Sequence, residues 1–181
     1  MRKIAILLAA LVLSAPMALV AQKKKAIEQM PPAESPKDPE TQLITYTVKL
    51  ETSLADSVLY KRAMHWYKTD IKSMRVVPEE CKDKQLIVAK GEFDLLGPKD
   101  GKDEQIKKGR IKYTMTTEVA GNVCVTKVTR FNISGNKYVP IELWLDTQAA
   151  NYEDKFSLLF VEEQGQDIIL RFKEFVNVPM K

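Results

Sequence analysis

The chain has 181 residues, with 28 Lys and Arg against 24 Asp and Glu, a single His and a formal net charge of +4. That length suits one domain with its own core. The near balance of charge argues against nucleic acid as a partner, since such binders carry a basic stripe.

The N-terminus carries the first strong pattern. Arg2 and Lys3 precede an apolar run, Ile4 to Leu13, and apolar character resumes from Met17 to Ala21 after Ser14, Ala15 and Pro16. This is the layout of a secretory signal peptide, expected over residues 1–21 with cleavage after Ala21. As a membrane anchor the run would be barely long enough to span, and Pro16 interrupts it. No other long apolar run follows, so no membrane span is expected after cleavage. The protein is therefore expected to be exported, to the periplasm or the cell surface. Losing Arg2 and Lys3 lowers the net charge to +2.

Residues 22–40 read as a linker. Lys23 to Lys25 is a short charge run, and Pro31, Pro32, Pro36 and Pro39 deny the segment both helix and ladder hydrogen bonds. A single α+β domain is expected over residues 41–181. Its first strand buries Ile44, Tyr46, Val48 and Leu50. Thr52 or Ser53 then caps a helix of about five turns, with Asp56 in a capping-box position. Leu54, Val58, Leu59, Trp66, Tyr67, Ile71 and Met74 form its apolar stripe, with Lys61, Arg62 and Lys68 toward solvent.

Four strands are expected next. Met74 to Val77 is short. Gln85 to Leu96 places Ile87, Ala89, Gly91, Phe93 and Leu95 on one face. Gly97 to Gly109 reads as a solvated loop, rich in Gly, Lys and Asp. Arg110 to Ala120 aligns Ile111, Tyr113, Met115, Thr117 and Val119, and Gly121-Asn122 makes a tight turn. The last strand, Val123 to Ser134, carries Val125, Val128, Phe131 and Ile133, a pattern that requires a bulge near Thr126 or Lys127. C-terminal helices follow over 140–177, the longer from about Asn151 to Val176, with Gly165 as a point where it would split. The order is β-α-β-β-β-β-α: an antiparallel sheet with helices on one face.

Leu59, Tyr60 and Trp66 stand out in the helix LADSVLYKRAMHWYKTDIK, followed by LIVAKGEF and by RIKYTMTTEVAGNVCVTKVTRFNI. With these segments the chain resembles the DUF4468 family over about residues 43–133. The resemblance implies a TBP-like fold and a kinship with exported proteins of Bacteroidetes. It brings no catalytic residue and no function. "TBP-like" describes topology, which does not carry DNA binding with it.

Few residues invite chemistry. A catalytic His65 would need a nucleophile and an orienting acid beside it in space, neighbours that sequence does not show, and it reads as a boundary residue of the helix packing partly on the sheet. Glu79 and Glu80 lie in an expected turn of mixed charge, and read as solvated. Asp100, Asp103 and Glu104 miss the spacing of a calcium loop, so no metal is expected. Ser134 and Lys137 fit a serine–lysine spacing without its companion elements. No cofactor motif is present. Cys81 and Cys124 form a possible disulfide in an oxidising compartment, or remain two thiols.

Three readings of function follow. The first is a non-catalytic envelope protein that binds or assembles with an unknown protein partner. The second is a carrier of a hydrophobic ligand in a cavity between sheet and C-terminal helix, lined by Tyr113, Met115, Val125, Phe131 and Phe172. The third is a hydrolase with an unrecognised site.

Overall fold

The computed structural model describes residues 35–69, 79–81, 85–99, 105–135, 138–146 and 152–178. They form β1 (Tyr46–Glu51), α1 (Asp56–Thr69), β2 (Glu79–Cys81), β3 (Leu86–Lys99), β4 (Gln105–Ala120), β5 (Val123–Ile133), β6 (Val139–Pro140), α2 (Leu143–Asp146) and α3 (Tyr152–Asn177). The strands make one antiparallel sheet in the order β1-β5-β4-β3-β2, with β6 pairing the end of β5. The signal-peptide region and the expected strand Met74–Val77 lie outside the described residues.

Period-two alternation places the core on one face. In β4, Ile111, Tyr113, Met115, Thr117 and Val119 are buried, while Lys112 and Glu118 are exposed. Against this face α1 buries Leu59, Ala63, Trp66 and Tyr67, and α3 buries Leu158, Val161, Ile168, Phe172 and Val176. Both sets recur at three- and four-residue spacing, so each helix presents one stripe to the sheet. Rings meet at the centre: Trp66 stands edge-on to Phe172 at 5.1 Å, and Tyr113 packs on Phe131 at 5.8 Å.

The bulge in β5 lies further along than the apolar pattern implies. Lys112 pairs Asn132 but Thr114 pairs Thr129, so Tyr113 faces two residues, and Arg130 adopts a φ of 57°. Cys124, Thr126, Val128 and Phe131 therefore face inward, and Val125 turns to the outer face of the sheet. Thr126 enters the core because it is hydrogen-bonded. Its hydroxyl lies 2.7 Å from that of Thr117, which lies 2.9 Å from the Tyr67 hydroxyl. A buried polar group with partners escapes most of its desolvation cost.

Several other expectations are corrected. The loop expected over Gly97–Gly109 is mostly strand: β3 runs to Lys99 and β4 starts at Gln105, with register shifts after Leu95 and after Leu96. Cross-strand hydrogen bonds outweigh a composition rich in Gly and Lys. Glu79 and Glu80 belong to β2 rather than to a turn. α3 passes unbroken through Gly165. The glycine is there because a Cβ at that position would fall 2.5 Å and 3.0 Å from atoms of the Tyr46 ring. The absent side chain lets the helix lie directly on Tyr46 of β1.

Two side chains lock the helices to the rest. The Asp56 carboxylate, in the first turn of α1, accepts the backbone N–H groups of Gly121 at 2.9 Å and Asn122 at 2.6 Å. It thus holds the β4–β5 turn instead of closing a capping box with Ser53. Arg62, expected toward solvent, is buried, and its Nη1 donates to the Val176 carbonyl at 2.9 Å. That carbonyl is among the last four of α3, which have no partner within the helix. A guanidinium there also meets the negative end of the helix dipole.

Candidate functional site

Backbone parity along β1 determines which groups are left over. The Thr45 N–H donates to the Pro36 carbonyl, and the Asp38 N–H donates to the Leu43 carbonyl. Odd-numbered residues therefore direct their backbone groups away from β5. Even-numbered ones face it, as the Thr52 N–H bonded to the Asn122 carbonyl confirms. Residues 36–38 cover the outer edge only as far as Thr45, through the Lys37–Ile44 bridge. Among the described residues no strand pairs the edge at Thr47 and Lys49.

Beside this edge lies a groove of about 620 Å³. One wall is the turn Pro36–Pro39, the floor is Thr45–Val48, and the opposite wall is the α3 stripe of Gln166, Ile169, Leu170 and Lys173. Tyr46 and Val48 supply the apolar floor. Leu170 is 51% exposed, one of the most exposed large apolar side chains described. Asp38 lines the groove, but its carboxylate accepts the N–H groups of Thr41 at 3.0 Å and Glu40 at 3.1 Å. Those bonds hold its carboxyl below the usual carboxylate range, the Thr41 N–H being the largest cause. Lys37 and Lys173 bring positive charge to the rim.

The residues proposed to line a cavity are divided by the fold. Tyr113, Met115, Phe131 and Phe172 meet in the core and are at most 2% exposed. They sit among direct ring contacts, with Phe93 on Tyr113 at 6.0 Å and Tyr46 on Phe131 at 5.7 Å. Val125 does not join them, because the bulge at Arg130 leaves it on the opposite face.

Cys81 and Cys124 do not pair. Cys124 is a free, buried thiol. Cys81 pairs Leu86, Leu86 pairs Glu118, and Glu118 pairs Val125, so three strand spacings separate β2 from β5. At about 4.8 Å per strand the gap is roughly 14 Å, whereas a disulfide needs Cα atoms within about 7 Å. Burial pushes the Cys124 thiol up to about 11.

His65 is exposed on α1, its ring 5.7 Å from that of Phe175. Lys137 lies outside the described residues, and the Ser134 N–H is used by the Arg110 carbonyl. Tyr46, Tyr67 and Tyr113 are raised above the ordinary tyrosine range, chiefly by desolvation, which keeps each hydroxyl neutral. Among the described residues no three His, Cys, Asp or Glu side chains converge as metal ligands would.

The fold is α+β, a single antiparallel sheet with two long helices on one face. Residues 45–134 match DUF4468, a domain of unknown function with a TBP-like fold, and the chain belongs to that family. The chain is similar to a DUF4468 family protein from Bacteroides ovatus ATCC 8483. Identity is 11% and the TM-score 0.63, over 82% of this chain and 94% of the other. It is also similar to a TBP-like protein from Parabacteroides distasonis ATCC 8503. There identity is 14% and the TM-score 0.54, over 78% of this chain and 98% of the other. At such identities the likeness establishes the fold alone. No curated protein matches the chain.

Proposed function

We propose that this is an exported, non-catalytic binding module of the cell envelope, acting through the groove between β1 and α3. The observation that carries the reading is the coincidence of three features in that groove. It has an apolar floor and wall, exposed Leu170, and a sheet edge uncovered at Thr47 and Lys49 among the described residues. Unpaired edges and exposed apolar surface are what a protein keeps when something else covers them. The groove's volume also falls within the range of ligand sites, roughly 300–1,000 Å³.

Export rests on the basic and apolar N-terminal pattern. None of the described helices is long and apolar enough to cross a membrane. Tyr67, Tyr113 and Cys124 speak for a binding role over a chemical one. They lie in the core, neutral and packed, away from the groove's exposed wall.

The test is site-specific photo-crosslinking in cells that make the protein. A photoreactive residue is placed at Leu170, and in a second strain at Thr116 on the outer sheet face. A discrete adduct from Leu170, absent from Thr116, is the expected result. Adducts from Thr116 alone, or from neither site, would remove the groove from the account.

A further inference from the structure

We infer that the groove takes an extended polypeptide segment, which adds to the sheet as a strand beside β1. This inference rests on the binding-module reading and names its partner class. The shape favours it: one side of the groove is a strand edge and the other is a helix stripe, the layout in which peptides add to sheets.

The backbone groups are in place. Thr47 and Lys49 direct their N–H and C=O groups outward, one residue pair apart, by the same parity that aims Thr45 at Pro36. Residues 36–38 already pair this edge in antiparallel fashion at Leu43–Thr45, so its outward backbone groups are competent to take a strand. Side-chain selection follows from alternation. Every second residue of the segment faces Val48, Ile169 and Leu170, and is therefore apolar. Lys37 and Lys173 at the rim favour an acidic residue beside it, while Asp38 is engaged with its own turn. Charge along the strand begins only at Lys49, which pairs with Glu51 at 2.6 Å, so Thr47 and Val48 form the accessible centre.

The test uses the whole protein and an acetylated, amidated Glu-Val-Glu-Leu-Glu-Val peptide, followed by amide resonances in solution. Saturable shifts of the Thr47 and Lys49 amides are expected, with affinity falling about tenfold or more in Leu170→Asp. Leu170 is exposed, so that variant leaves the core intact. Two further peptides carry N-methyl groups on alternate backbone nitrogens. Strand addition requires that one alternate set abolish binding and the other leave it unchanged.

Shifts that tolerate both methylated sets would overturn the inference, as would shifts confined to the outer sheet face. Self-association that moves Thr47 and Lys49 without peptide would assign the edge to a second copy and overturn it too. So would tighter binding by a peptide of residues 22–34, which assigns the groove to the chain's own leader. If Leu170 crosslinks in cells but Thr47 and Lys49 do not respond, the strand inference fails and the binding-module reading stands. If neither responds, both fail.

Discussion

Replacing Gly165 with alanine probes how closely α3 lies on β1. In an ordinary helix interior this change stabilises by about 1 kcal/mol, because glycine has more backbone entropy to lose. Here the new methyl would stand 2.5 Å and 3.0 Å from Tyr46 ring atoms. The ring has little room to retreat, since its edge already meets Phe131 at 5.7 Å. Overpacking of this kind costs about 1–3 kcal/mol. Gly165→Ala should therefore range from neutral to about 2 kcal/mol destabilising, against the sign of helix propensity. The assay is urea unfolding of a double-mutant cycle with Tyr46→Val. Removing the ring should restore the propensity gain, giving a coupling of about 1–3 kcal/mol between the two sites. If Gly165→Ala stabilises by about 1 kcal/mol in both backgrounds, the helix does not lie on the ring and the reasoning is refuted.

Other outcomes follow from the same contacts. Asp56→Ala removes two charge-assisted bonds to the Gly121 and Asn122 N–H groups, and should cost about 1.5–3 kcal/mol in urea unfolding. Arg62→Met leaves the Val176 carbonyl without its partner, and should speed amide exchange in the last turn of α3 more than at Leu158–Val161. Uniform exchange along α3 would contradict that capping role. The Cys124 thiol is raised to about 11 by burial, so its contribution to stability is fully present below the unfolded pKa, about 8.5. That contribution is lost as pH rises toward 11. Alkylation of Cys124 at pH 8.5 should therefore be slow and should accelerate with urea in step with unfolding. Rapid labelling of the native protein would place the thiol at the surface.

The strands that alternate cleanly were legible in the sequence. Ile111 to Val119 in β4 could only be a half-buried strand, and Tyr46 with Leu50 identified the inner face of β1. Hydropathy misled at β5. Val123 and Val125 look more suited to a core than Cys124 and Thr126, yet Thr126 is inside because Thr117 and Tyr67 satisfy it. That partnership spans three elements and leaves no local trace. Misplacing the bulge carried Val125 to the wrong face of the sheet. Gly165 was visible, but its meaning was not: a helix-breaking signal and a close-contact signal look alike until Tyr46 is known to lie beneath it.

Arg62 gives a similar lesson. It reads as a solvent residue until the end of α3, over a hundred positions away, is seen to need a cap. The groove was not legible at all. Its walls come from residues 36–39, 45–48 and 166–173, none of which carries a recognisable motif. The sequence assigned Pro36 and Pro39 to a linker, whereas they form one wall of the site. The resemblance to DUF4468 did reach the topology, because the matching segments are core and turn positions of the sheet.

The β1–α3 groove is proposed as the surface this protein uses. The most direct measurement compares hydrogen exchange of the protein within intact cell envelopes with that of the purified protein. Slower exchange is expected over Tyr46–Glu51 and over residues 166–173, with Thr114 and Thr116 on the outer face unchanged. Unchanged exchange along β1, with slowing on the outer face or nowhere, would contradict the proposal.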